Sequence, residues 1–447
     1  MNRTTKQAVY IIAAVLGGWL ISQGTPAHAQ LGLPDLPGGL RDIANDSILD
    51  RRVRERAEKA AEEAGDAVDE TVATTTGAVT ETVGTVTGAA RQFLRAEDPT
   101  GAAIEAGTVV LMLDDSDVDA LRADGFTIVA ARALPALGKS LVTIVTSSGA
   151  DLAGTVRELR RRFPESAVDY NHLYHWDEAP ATGTEQRVDD VAAVDADSAL
   201  LRIGVIDSAV QSDHHGLAGA TVVHGDFVKH EGGRPQTHGT AVASIVARSA
   251  GNRVAIYAAS VFFEIPGYSP GASSESLVAA LDWLAAQDVD VINMSLSGPV
   301  NVLLEAAIKA VQAQGHVVVA AVGNNGPASE PMYPAAYDDV IGVTAVDRER
   351  RVFRNANRGD YVDYAALGVG VKVADSSTGG YRIASGTSMA TPRIAVVVAR
   401  VLREGGVERE ALMSWLIASA EDLGRKGFDP VYGHGLIAQP PLVVSGN

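Results

Sequence analysis

From Leu200 onward, short apolar runs alternate with stretches of helical periodicity, and no other feature limits the possible folds of this chain so strongly. The runs at 201–206, 255–260, 289–294 and 316–322 read as strands. Between them, 238–248, 274–287 and 303–314 read as helices, with Gly315 placed to end the last. Strands that are apolar on both faces and separated by helices can be buried only in a parallel sheet covered on each side. The expected fold class is therefore α/β, a parallel sheet flanked by helices. In such sheets functional groups gather at the C-terminal ends of the strands. The 45 glycines and the low aromatic content of 5% suit a loop-rich enzyme better than a coiled coil or a membrane bundle.

The N-terminal half is organised differently. Residues 1–29 read as a signal peptide: Arg3 and Lys6 precede an apolar run over 8–22, and Ala27-His28-Ala29 gives a small-x-small cleavage pattern before Gln30. The run is short for a membrane span of about 20 apolar residues, although an uncleaved anchor helix is the alternative. Either way the rest of the chain lies outside the cytoplasm, secreted or periplasmic. Residues 30–105 are Pro- and Gly-rich, then charged and Ala-rich, then a Thr/Val/Gly/Ala tract, which reads as a linker or weak helix. Over 106–176 the pattern is β-α-β-β-α-β, with strands at 108–113, 127–131, 141–145 and 167–170. Helices run from a cap at Ser116 to about Ala123 and over 152–162. That order is ferredoxin-like. Residues 177–199 are polar and acidic, with Pro and Gly, and read as an exposed linker open to proteolytic nicking.

Composition excludes several kinds of chemistry. The chain has no cysteine, so disulfides, thiolate catalysis and Cys-ligated zinc are ruled out. The formal net charge is −18, which disfavours nucleic acid and anionic membrane faces as partners.

Four segments carry candidate chemistry. Asp207 ends the run Ile203-Gly204-Val205-Ile206-Asp207-Ser208, so an apolar strand delivers a carboxylate to its C-terminal end. His238 opens Thr237-His238-Gly239-Thr240-Ala241-Val242-Ala243, where small residues suit a tightly packed helix start. Asn324 follows a strand in Val322-Gly323-Asn324-Asn325-Gly326 and offers a side-chain amide donor. Ser388 lies in Ser385-Gly386-Thr387-Ser388-Met389-Ala390-Thr391-Pro392, where a serine at a helix start presents both its hydroxyl and its backbone N–H. Taken singly, these are a turn Asp, an exposed or structural His, a loop Asn and a helix-capping Ser.

Together they resemble the signature segments of the subtilisin family, in that family's chain order of Asp, His, Asn and Ser. Asn293-Met294-Ser295-Leu296-Ser297-Gly298 is similar to its substrate-binding strand, and Tyr432-Gly433-His434-Gly435-Leu436-Ile437 to its closing segment. The likeness spans roughly 200–440 within a catalytic domain placed at 200–447. It implies a serine endopeptidase with Asp207, His238 and Ser388 as catalytic triad and Asn324 as oxyanion donor. Ser295, Leu296, Ser297 and Gly298 would bind substrate. The implied partners are protein or peptide substrates and the chain's own propeptide, residues 106–176, acting as folding aid and inhibitor with its tail in the active site. A membrane enters only if the signal segment is uncleaved. No cofactor is required. Members of the family often bind calcium, but no acidic loop here has convincing spacing for it, and structural calcium stays open. The chain departs from the family pattern at Ala209, Ser297, Leu367 and Arg393, where Gly, Gly, Pro and His are usual. None of these removes a catalytic group. A fold kept for binding alone, and an acid-active relative with a carboxylate in place of the histidine, are the competing readings.

Overall fold

The run containing Asp207 forms strand β6 (Leu201–Asp207) at the heart of a seven-stranded sheet. Its companions are β7 (Thr221–Asp226), β8 (Val254–Ser260), β11 (Val291–Met294), β12 (Val317–Ala321), β13 (Ile341–Val346) and β14 (Tyr364–Leu367). The order is β14-β13-β12-β11-β6-β8-β7 and every pairing is parallel. This computed structural model describes residues 95–147, 150–176, 200–229, 234–251, 253–265 and 267–438. The proposed signal peptide, most of the 30–105 segment and the whole of the 177–199 linker lie outside the described residues.

Side-chain alternation along the strands divides the apolar residues between two layers. Leu201, Ile203 and Val205 pack with helices α3 (Thr237–Ser249) and α6 (Thr387–Arg403) on one side. Ile206, Ile292 and Met294 pack with α4 (Ser274–Ala286) and α5 (Val302–Ala313) on the other. Gly204 is required by proximity: a Cβ there would come within 2.9 Å of the Leu284 methyl groups of α4. This is the α/β arrangement expected from the alternating sequence. Each helix and strand expected downstream of Leu200 is present with ends shifted by at most two residues, and Gly315 takes φ +101° just past α5.

Upstream, β2 (Ala103–Leu113), α1 (Asp115–Ala123), β3 (Thr127–Leu134), β4 (Lys139–Val145), α2 (Leu152–Arg162) and β5 (Ala167–Tyr174) follow the β-α-β-β-α-β order. Their strands form an antiparallel array β3-β4-β2-β5 over a separate apolar core that includes Leu111, Leu121, Ile144 and Leu159.

Three details differ from the sequence expectation. Regular structure starts before residue 106, because β1 (Arg95–Glu97) pairs with β2. The turn between them is organised by the Asp98 carboxylate, which accepts from the Thr100 and Ala102 N–H groups, with Gly101 at φ +87°. Helix α1 begins two residues earlier than a cap at Ser116 would place it: Asp114 holds the N-cap position without a capping hydrogen bond, its carboxylate pairing instead with Lys139 at 2.8 Å. Strand β5 runs four residues past Tyr170. Its polar residues Asn171 and His172 break the apolar pattern, yet both are buried because Glu105 on β2 and, across an interface, Ser274 and Asn301 satisfy them.

That interface joins the two sheets. Beyond β5 the antiparallel array continues through β10 (Gly271–Ser273) to β9 (Phe262–Phe263), both belonging to the downstream region. Two helix starts point at the upstream domain and find acceptors there. The Asn171 side-chain amide oxygen accepts from the Glu275 N–H at 3.1 Å, and the Asp169 carboxylate accepts from the Val302 N–H at 2.9 Å.

Candidate active site

Asp207 emerges at the C-terminal end of β6 and is 1% exposed. Its main chain is tied to the neighbouring strand, the Val261 N–H donating to its carbonyl at 2.9 Å. His238 is the second residue of α3, also 1% exposed. The helix start can lie this close to the loop after Asp207 because Gly239 has no side chain. A Cβ there would come 2.2 Å from the Ser208 carbonyl oxygen. Instead the Gly239 N–H donates to the Ser208 hydroxyl at 2.7 Å.

This packing sets the histidine against the carboxylate. Nδ1 of His238 lies 2.8 Å from Oδ1 and 3.0 Å from Oδ2 of Asp207. A carboxylate can only accept, so Nδ1 carries the hydrogen and Nε2 holds the free lone pair of the neutral ring. Nε2 is buried and has no hydrogen-bond partner among the described residues. A buried basic nitrogen left in this state is suited to take a proton from a reacting group.

Ser388 is the second residue of α6 and 2% exposed. Its hydroxyl donates to the Ser295 carbonyl at 3.1 Å, and the Ser295 hydroxyl donates back to the Ser388 carbonyl at 3.1 Å. Asn293 in turn donates to the Ser295 hydroxyl at 3.0 Å. The serine is thus knitted to the end of β11, and its hydrogen bond goes to Ser295 rather than to His238. Asn324 stands beyond β12, after Gly323, whose φ of +99° and closeness to Asn357 both demand glycine. The Asn324 carbonyl oxygen accepts from the N–H and hydroxyl of Thr387, at 3.0 and 3.2 Å. That orientation pins the amide to the helix start that carries Ser388 and turns its NH2 end to the opposite side.

All four candidate residues therefore sit at the C-terminal ends of parallel strands or the starts of the helices packed on them, the location the alternating sequence implied. The candidate substrate residues line the adjacent cleft. Ser297 pairs with His175 through two backbone hydrogen bonds of 2.9 Å, and Gly298 lies under the Tyr174 ring. Leu296 is buried beside them.

Sequence reasoning missed the opposite wall of the cleft. Strand β10 holds the other edge of the tail, pairing Ala272 with Tyr174 and Ser273 with Leu173. Three residues give no periodicity to read, and their only signal was a Gly ahead of a serine-capped helix. The tail expected in the active site ended at Trp176, but the contact of its ring with the histidine was missed, and so was Phe262. The Trp176 ring stacks on His238, with centroids 5.0 Å apart and planes at 14°, and meets Phe262 edge-on at 4.4 Å. The upstream domain thus ends as an extended strand hydrogen-bonded on both edges, its last described side chain covering the histidine. Among the described residues, no three His, Cys, Asp or Glu side chains converge to hold a metal ion.

Comparison with known proteins agrees with this geometry. A model of the subtilase family matches residues 200–435. Subtilisin DY from Bacillus licheniformis is 32% identical over 268 residues, covering 56% of this chain and 93% of that protein. Minor extracellular protease Epr from Bacillus subtilis (strain 168) is 31% identical over 247 residues, 53% of this chain but 37% of that longer protein. Among solved structures, fervidolysin from Fervidobacterium pennivorans, described as a keratinolytic enzyme related to subtilisin, shares the fold with a TM-score of 0.64. At 20% identity that likeness covers 78% of this chain and 62% of the other. The chain belongs to the subtilase family of serine endopeptidases.

Proposed function

We propose that the chain is an exported, self-processing zymogen that hydrolyses peptide bonds through an acyl-enzyme on Ser388. The observation that carries this reading is the seating of residues 173–176, paired on one edge with Gly271–Ser273 and on the other with Ser297, against a histidine held by Asp207. An extended segment between two strand edges is how a protease cleft takes a peptide. Here the peptide is the chain's own, so residues up to Trp176 act as the propeptide and block the site. The β-α-β-β-α-β order supports a ferredoxin-like propeptide, and processing falls within 177–199.

The proposed chemistry follows from the site. Rotation of the Ser388 side chain away from the Ser295 carbonyl brings its hydroxyl to His238. Nε2 takes the proton as Oγ attacks the substrate carbonyl. Asp207 keeps the ring in the required tautomer and stabilises its cation. Asn324 and the Ser388 N–H receive the oxyanion. The imidazolium then protonates the departing amine, and water, deprotonated by the same nitrogen, releases the acyl group. These steps use side chains and water alone. Because Nε2 must be unprotonated to act, activity should persist at neutral and alkaline pH, unlike that of carboxylate-based relatives. Export is supported by the pattern of residues 1–29 and by the extracellular relative. Among the described residues no helix is long and apolar enough to cross a membrane.

The test is the intact mass of the exported protein beside its Ser388→Ala variant. The wild type should lose everything upstream of a point in 177–199, and the variant should keep that junction intact. Identical processing of both would remove self-cleavage from the proposal.

A further inference from the structure

We infer that the cleft selects tyrosine over phenylalanine at the substrate position occupied here by Tyr174. The inference rests on the proposed reading of the tail as a substrate-like occupant and extends it to specificity. Tyr174 is fully buried, and its backbone is fixed by the pairing with Ala272 and by the His175–Ser297 bonds that follow. Its ring lies directly over the main chain at Gly298. A Cβ added there would come 2.4 Å from Cδ1 and 2.8 Å from Cε1 and Cγ. Gly298 therefore leaves a flat slot the thickness of an aromatic ring, and any side chain at that residue would close it.

The end of the slot is polar. The Tyr174 hydroxyl donates to the Pro299 carbonyl at 2.9 Å, and the buried Tyr337 lies nearby. Tyr337 is itself immobilised: its hydroxyl accepts from the Asn301 N–H at 2.9 Å and donates to the Asn301 carbonyl at 2.8 Å. Asn301 is in turn locked as the cap of α5, accepting from the Leu303 and Leu304 N–H groups. The polar end is thus preformed and cannot turn away when an apolar ring enters. Phenylalanine would fill the slot but leave the Pro299 carbonyl facing a ring edge in a water-excluded pocket. A site built to hydrogen-bond a hydroxyl discriminates against the analogue that lacks it. Gly298 and Pro299 set the specificity: one admits an aromatic ring, the other asks for its hydroxyl.

The test uses the wild-type exported protein and three peptides copying residues 171–199, with Tyr, Phe or Ala at the position of Tyr174. The expected order of kcat/KM is Tyr above Phe by about five- to tenfold, the worth of one neutral hydrogen bond. Ala should fall below Phe by on the order of 10-fold or more through lost ring burial. Gly298→Ala should lower the ratio of the Tyr rate to the Ala rate at least about tenfold, because the added methyl meets the ring. Equal rates for the Tyr and Phe peptides overturn the inference. So does failure to cleave the Tyr peptide by protein that a serine-directed fluorophosphonate still labels. Absence of both cleavage and labelling would instead remove the proteolytic reading on which the inference rests.

Discussion

At Asp207 and His238 the chemistry depends on one hydrogen. The two contacts of 2.8 and 3.0 Å assign it to Nδ1 and leave Nε2 as the buried base. The identities of these residues, and of Ser388 and Asn324, were legible in the sequence because the segments that carry them together resemble the signature segments of the subtilisin family, although singly each reads as an ordinary turn, loop or cap residue. What no run of letters conveyed is the present state of the serine, whose hydroxyl is engaged by Ser295. Asn324→Ala should lower kcat on the order of 10²–10³, the loss typical of removing one oxyanion donor, with KM nearly unchanged. Steady-state kinetics on a soluble peptide checks this, and near-wild-type kcat would remove Asn324 from the proposed role. Asp363 invites a different measurement. Burial pushes its carboxyl up to about 6, against the partial relief of the Gly342 N–H that donates to it at 2.7 Å. A carboxyl raised from 3.8 costs stability when ionised, so the cost is full above pH 6 and disappears as pH falls toward 4. Asp363→Asn, which keeps an acceptor, should stabilise the protein at pH 8 by up to about 3 kcal/mol. That gain should vanish near pH 4 in denaturant titrations, and a gain independent of pH would refute the assignment.

At the scale of elements, the strands and helices of the parallel sheet announce themselves because they are apolar on both faces and long enough to show a period. Elements whose existence depends on contacts elsewhere do not. Strand β10 is three residues long and is a strand because β5 and β9 lie on either side of it. The last four residues of β5 fell outside the strand expected at 167–170, yet Asn171 and His172 are buried because Glu105, Ser274 and Asn301 supply their hydrogen bonds. Helix α3 shows how tight packing positions a catalytic group. Gly239→Ala would drive a methyl into the Ser208 carbonyl, 2.2 Å away, and that carbonyl is backbone with little room to retreat. We expect a loss of stability of about 1–3 kcal/mol and a much larger proportional loss of activity, since His238 rides on the same turn. Thermal unfolding and kcat measured on one preparation would separate the two effects. Retention of full activity would show that the helix start tolerates displacement.

Across the whole molecule, the antiparallel sheet of the upstream domain runs without a break into β10 and β9 beside the cleft. In the proposed mature enzyme the tail is gone, and the edges of β10 and Ser297 lose their partner strand. Amide exchange at residues 271–273 and 297 should therefore be slow in unprocessed Ser388→Ala and markedly faster in the processed wild type. Equal protection in the two would mean that the tail stays bound or never shields the cleft. The amino-acid sequence by itself determined the parallel α/β class, the four candidate reactive residues and their chain order, because apolar periodicity and short motifs are local properties. A tail in the active site was already implied by the family resemblance; the tertiary structure alone decided that Trp176 covers the histidine and that Tyr174 finds a slot over Gly298 with an acceptor at its end. Those contacts join residues about 60 to 125 positions apart in the chain. Their stability comes from mutual burial and from hydrogen bonds that exist only once both partners are in place, and no local pattern records them.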